Sequence, residues 1–167
     1  MAQLSKKVEM FISISILVLS VFVSELLIHK YIFSSSNPPE PIKTTNKQIT
    51  LSDINWSEQS KTLIVALDIN CRFCNESAPF YKHLIESVKG KNVKLIAVLP
   101  SDIQESRTHL NKLGLVDIEV KQAALDDLQV NGTPTLLLVN DKGEVTNYWV
   151  GKLPLNKQAE VINKITS

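Results

Sequence analysis

The chain has 167 residues with 18 basic and 17 acidic side chains and a formal net charge of +1, a near balance in which the basic residues form no stripe for nucleic acid. Two cysteines are too few for a disulfide framework, and with no second Cys pair and no closely spaced pair among the three histidines the chain lacks the pattern of a structural zinc site. The length allows one globular domain.

Lys6 and Lys7 open the chain, and from Met10 to Ser24 there is no charged residue. With Glu25 and His29 tolerated near its end, the apolar stretch reaches Phe33, enough to span a bilayer as a helix. Its apolar residues cover all faces, which argues against a helix buried in a soluble domain. A cleaved signal peptide competes, but Phe22-Val23-Ser24 lacks small residues at both positions a cleavage site needs, and the stretch runs long. The expectation is a single-pass anchor over 10–33, with residues 1–9 in the cytoplasm and the rest across the membrane, as the positive-inside rule dictates. Residues 34–43, rich in serine and proline, make an extended spacer, and the folded domain is expected over 44–167.

Within that domain, Ile49 to Trp56 holds one short strand, with Trp56 packing on the fold. Leu63 to Leu67 is a continuous apolar run, the pattern of a strand buried on both faces. A helix follows, carrying Phe73, Phe80, Leu84 and Val88 at helical spacing and ending at Gly90, with Pro79 predicted to kink its middle. Val93 to Leu99 is a second buried strand. Ser101 and Gln104 suggest a capping box for a helix that buries Ile103, Leu110 and Leu113 and ends at Gly114. His83 and His109 read as surface histidines. Asp117 to Val120 predicts a short strand and Ala123 to Val130 a short helix. Thr135 to Val139 and Val145 to Val150 predict a hairpin about Asp141-Lys142-Gly143. A last helix, Asn156 to Ile165, should bury Ala159, Val161 or Ile162, and Ile165. This order argues an α/β sandwich with a central mixed sheet.

The chemistry resides in Cys71-Arg72-Phe73-Cys74, delivered by a strand to the first turn of a helix. Unpaired backbone N–H groups and the helix dipole favour a thiolate at Cys71, and Arg72 is a modulating charge that acts in the same sense. Cys74, one turn deeper, should be less exposed. The pair therefore reads as nucleophile (Cys71) and resolving thiol (Cys74) of a disulfide exchange. Plainer readings are a structural disulfide, which would close a very small loop, a zinc half-site, which lacks its other ligands, and a coincidence of two buried thiols.

Four features together resemble the thioredoxin fold, and specifically the membrane-anchored thiol–disulfide oxidoreductases of the TlpA, ResA and CcmG kind. They are the CxxC after a buried strand, Pro79 in the next helix, Gly132-Thr133-Pro134-Thr135 ahead of a strand, and Asp141-Lys142-Gly143 after it. The resemblance implies a cis Pro134 lying against the cysteines and a substrate-binding role for Thr133 and Pro134. It makes the helix over 101–113 the helical insertion of the TlpA-like group. It also implies a periplasmic domain tethered to the inner membrane, acting without a cofactor on exported protein thiols or disulfides, as a reductant, with a membrane electron-donor protein as a further partner. Val65 and Ser77 stand where such proteins carry a proton-handling acid, leaving Asp68 or Glu76 as substitutes. The alternative from a different class is a copper-binding chaperone module on the same fold, since soft thiolates suit Cu(I). Those proteins space their cysteines one residue further apart, and no motif places His83 or His109 beside them. A peroxidase would carry Pro and Thr where Asp68-Ile69-Asn70 stands.

Overall fold

The computed structural model describes residues 54–167 together with residues 11, 14–20, 48, 49 and 51. The chain divides into two compact units, Met1–Lys43 and Thr44–Ser167. In the first, residues 14–20 are helical, and Phe11, Ile14, Ile16, Leu17, Val18 and Leu19 are exposed. The remainder of the expected anchor over 10–33, and the spacer over 34–43, lie outside the described residues. Among the described residues no helix is long and apolar enough to cross a membrane.

The second unit is built on five strands: β1 (Lys61–Ala66), β2 (Val93–Leu99), β3 (Glu119–Gln122), β4 (Thr135–Asn140) and β5 (Val145–Val150). Their order across the sheet is β3-β2-β1-β4-β5. β1 runs parallel to β2, and β2 to β3, whereas β4 is antiparallel to both β1 and β5. The helices are α1 (Arg72–Glu76), α2 (Ala78–Val88), α3 (Ile103–Lys112) and α4 (Leu155–Thr166).

Side chains alternate across a strand, so the continuous apolar runs fill two cores at once. Leu63, Val65, Leu95, Ala97, Leu99, Leu136 and Leu138 face the cluster that takes in Cys74, Leu84, Leu110 and Val161 from the helices. Ile64, Ala66, Ile96, Val98, Leu137 and Val139 face the opposite cluster, completed by Ile49, Leu128, Val130 and Val145. Leu63, Ile64 and Ile96 are fully buried, and each such side chain contributes about 1.5–3 kcal/mol of transfer free energy.

Several local expectations are corrected. Pro79 does not kink one long helix. α1 stops at Glu76, the chain turns through Ser77, and α2 restarts with Pro79 in its first turn, where a missing N–H forfeits no helical bond. α3 is capped by Asp102 rather than Ser101, because the Asp102 carboxylate accepts from the N–H groups of Gln104 (2.8 Å) and Glu105 (3.4 Å). Ile103, the first residue of α3, shares the face of the buried Ser106 and Leu110 but sits at its open end, and it is exposed. The strand expected over 117–120 forms two residues later as β3, where it pairs with Ile96 to Leu99. Only a 3₁₀ turn, Leu125–Leu128, forms within 123–130. Part of the strand expected between Ile49 and Trp56 lies outside the described residues; beside it Gln48 forms a bridge with Glu144, and Trp56–Glu58 is a 3₁₀ turn. α4 buries Val161 and Ile165 but leaves Ala159 exposed.

Candidate active site

β1 and β4 are neighbours in antiparallel register, with Ala66 opposite Thr135. The residues that leave β1 and those that enter β4 therefore emerge at the same end of the sheet, and this brings Cys71 beside Thr133. A tight turn follows β1: Asp68 Oδ1 accepts from the N–H of Asn70 at 2.7 Å, and the Asp68 carbonyl accepts from the N–H of Cys71 at 3.1 Å. Cys71 occupies the N-cap of α1.

Cys71 and Cys74 are joined in a disulfide. The two sulfurs differ in access: Cys74 is 2% exposed, while Cys71 is half-buried at the surface. The backbone N–H of Cys74 points at Cys71 Sγ, 3.1 Å away. α1 has only five residues, so this directed N–H is a more definite source of thiolate stabilisation at Cys71 than a long helix dipole.

The Thr133–Pro134 peptide bond is cis. Pro134 is buried, and its carbonyl accepts from the N–H of Gly151 at 2.7 Å, while Thr135 Oγ1 donates to the Gly132 carbonyl at 2.7 Å. That leaves the Thr133 carbonyl facing the cysteines, 3.4 Å from Cys71 Sγ.

Arg72 does not act on Cys71 as an isolated charge. Its Nε pairs with Glu76 at 2.7 Å, and Glu76 also binds Lys152 at 2.8 Å. Lys152 first, and then Arg72, hold the Glu76 carboxyl below the usual carboxylate range, so Glu76 stays ionised and is poorly suited to carry a proton for Cys74.

Two features escaped the sequence reading. Phe73 does not join the apolar stripe of its helix; it is 54% exposed beside Cys71, with the partly buried Ile69 also near the site. His109 is no isolated surface histidine: its Nε2 lies 2.9 Å from Asn75 Oδ1, tying α3 to α1 across 34 residues. His109 also lines a cavity of ≈ 320 Å³ with Ile69, Gln104, Glu105, Thr108 and Lys112. No sequence motif signals a contact at that separation. Among the described residues, no group of three or more His, Cys, Asp or Glu side chains is placed to hold a metal ion.

No protein-family model and no curated protein matches the chain. Solved structures do. The thioredoxin domain of a thiol-disulfide oxidoreductase from Bacteroides vulgatus aligns at a TM-score of 0.59 and 12% identity, covering 74% of this chain and 98% of that one. The fold is thioredoxin-like. A thiol-disulfide isomerase from Corynebacterium glutamicum aligns at 0.56 and 13% identity, covering 78% of this chain and 97% of that one. StoA from Bacillus subtilis aligns at 0.54 and 18% identity, covering 75% of this chain and 98% of that one. At these identities the likeness concerns the thioredoxin-like architecture, a five-stranded mixed sheet with its helices.

Proposed function

We propose that this protein is a thiol–disulfide oxidoreductase that exchanges disulfides with exported proteins from a membrane tether, working as a reductant. The observation that carries the reading is the asymmetry of the pair: an accessible Cys71 at a helix N-cap, with a buried Cys74 bonded to it. The names of the structural neighbours, a thiol-disulfide oxidoreductase and a thiol-disulfide isomerase among them, support it.

The chemistry follows from the geometry. In the reduced protein the Cys71 thiolate attacks one sulfur of a substrate disulfide, forming a mixed disulfide and expelling the other substrate sulfur as a thiolate. Cys74 then loses its proton and attacks Cys71 Sγ, which breaks the mixed disulfide and frees the second substrate thiolate. Two electrons pass from the cysteine pair to the substrate. An extended substrate segment lies along Thr133 and Pro134, where the Thr133 carbonyl adjoins the reacting sulfur, and the exposed Phe73 offers it apolar contact. Two electrons from a membrane donor protein, with two protons from solvent, return the pair to the dithiol state. Lys6 and Lys7 ahead of the apolar stretch over 10–33 support an anchor with the domain on the periplasmic side of the inner membrane. The helix α3 corresponds in this reading to the TlpA-type insertion.

Reduction of insulin or a model disulfide peptide tests the reading: the wild type is active and Cys71→Ser falls to background. Undiminished activity in Cys71→Ser sinks it. A reduction potential near that of thioredoxin supports the reductant direction, and one near the strong periplasmic oxidants overturns it. The copper-chaperone alternative has no third ligand among the described residues.

A further inference from the structure

Tyr81 is 1% exposed, and its hydroxyl makes no hydrogen bond among the described residues. A buried hydroxyl without a partner is unfavourable, and a state of the protein that supplies a partner is favoured by the difference. Its position indicates where that partner comes from. Tyr81 follows Ser77 by four residues and Cys74 by seven, one and two helical turns, and all three face the core at 1%, 6% and 2% exposure. The N–H of Tyr81 donates to the Ser77 carbonyl at 3.2 Å, so the helical path carries across the break between α1 and α2. Long side chains on a helix lean toward its N-terminus, which sends the phenol back toward Ser77 and Cys74. Ser77 is the neighbouring hydroxyl that acts on the phenol, but it lies outside hydrogen-bond geometry with it and donates instead to the Phe73 carbonyl at 2.8 Å. No Asp, Glu, His, Lys or Arg among the described residues is buried. Asp68, Arg72, Glu76, His109 and Lys152, among the ionisable groups on the elements around the pair, are all exposed or partly so.

We propose that Tyr81 is the internal hydrogen-bond donor to Cys74 Sγ, unpartnered while the disulfide is closed and partnered once it opens. The inference rests on Cys71 and Cys74 acting as an exchange pair. In the closed form the two sulfurs share a bond and carry no charge. Two electrons and two protons convert them to thiols, and in the resolving step Cys74 gives its proton to solvent or to the departing thiolate before attacking Cys71 Sγ. The phenol keeps its own proton throughout. Burial raises its ionisation well above the ordinary tyrosine range, tempered by Ser77, so it donates a hydrogen bond and not a proton. A donor aimed at the Cys74 thiolate favours the charged sulfur and thus the resolving step.

The test uses the full chain carrying Cys71→Ala, which leaves Cys74 as its only thiol, and follows thiolate absorbance against pH with and without Tyr81→Phe. The substitution keeps the ring and removes the hydroxyl. The expected result is a roughly tenfold fall in the acid dissociation of Cys74, one pKa unit. In the intact pair, at a pH where Cys74 is ionised, Tyr81→Phe should lower the reduction potential by about 30 mV for that tenfold change. An unchanged Cys74 titration overturns the proposal. A second measurement needs no variant: in the wild type the Tyr81 hydroxyl proton should move downfield on reduction, and an unmoved resonance also overturns it. Neither measurement uses a substrate, so the proposal and the exchange reading fail separately.

Discussion

Cys71 Sγ lies 3.4 Å from the carbonyl oxygen of Thr133, a residue 62 positions further along the chain. On its other side the same sulfur faces the N–H of Cys74 at 3.1 Å. The N–H favours negative charge on the sulfur and the carbonyl opposes it, so a substrate that engages the carbonyl with its own N–H removes the opposing influence. In the proposed exchange, this one backbone oxygen would couple substrate binding to activation of Cys71.

The difference in burial between the sulfurs predicts which intermediate can be trapped. Cys74→Ala should accumulate a mixed disulfide on Cys71, seen as a higher-mass species on a non-reducing gel that collapses with reductant. Cys71→Ala should give none above background, because Cys74 is 2% exposed. In the reduced wild type, alkylation should label Cys71 before Cys74. Equal labelling rates would remove the assignment of roles.

The contact between His109 and Asn75 predicts an energetic link between α3 and α1. A double-mutant cycle with Asn75→Ala and His109→Ala, read by urea denaturation, should give a coupling of about 0.5–1.5 kcal/mol, the range of a neutral hydrogen bond. If the two losses add, the contact contributes nothing in solution.

Glu76 gives a pH-dependent prediction. Lys152 and Arg72 lower its pKa in the folded chain. A carboxyl depressed on folding stabilises the protein above its unfolded pKa, and that contribution is lost as pH falls through the folded value. Glu76→Gln should therefore melt slightly below the wild type at neutral pH and match it in acid. The effect is small because the group is at the surface and screened. A difference that persists unchanged into acid would mean that the charge is not its source.

The parts of the fold legible in the sequence are those set by local pattern. The apolar runs of β1, β2 and β4, short and rich in branched residues, fit strands with both faces covered, and their alternation accounts for both cores. The place of Cys71 at a helix start was legible for the same reason. The pattern predicts a kink at Pro79, but a fixed φ equally suits the first turn of a new helix, and the turn at Ser77 makes it that. Phe73 fits the spacing of the buried stripe, yet it precedes the turn that aligns the rest of that stripe with the sheet, and it is exposed. The contact of His109 with Asn75 depends on the packing of α3 beside α1, which local periodicity does not encode. Tyr81 lay on the face of Cys74 by simple spacing, but its burial with an unpartnered hydroxyl required the structure.

The hairpin between β4 and β5 supplies a prediction in which two penalties separate. Gly143 has φ of +81°, and a Cβ added there would lie 3.0 Å from Cδ1 and Nε1 of Trp56. The same turn is held by Asn140, whose Oδ1 accepts from the N–H groups of Lys142 and Glu144, and the Gly143 carbonyl accepts from the N–H of Ile49 at 2.9 Å. The backbone therefore cannot relax to a negative φ without losing these bonds. Gly143→Ala should cost about 1–2 kcal/mol for the left-handed conformation alone, plus the displacement of the indole. In a Trp56→Ala background the second part disappears, and the penalty should fall to the backbone share. Urea denaturation of the wild type and the three variants in this cycle measures both parts, and the tryptophan fluorescence of Gly143→Ala reports whether Trp56 has moved. An identical penalty in both backgrounds would show that the ring yields at no cost and that the turn conformation alone requires glycine.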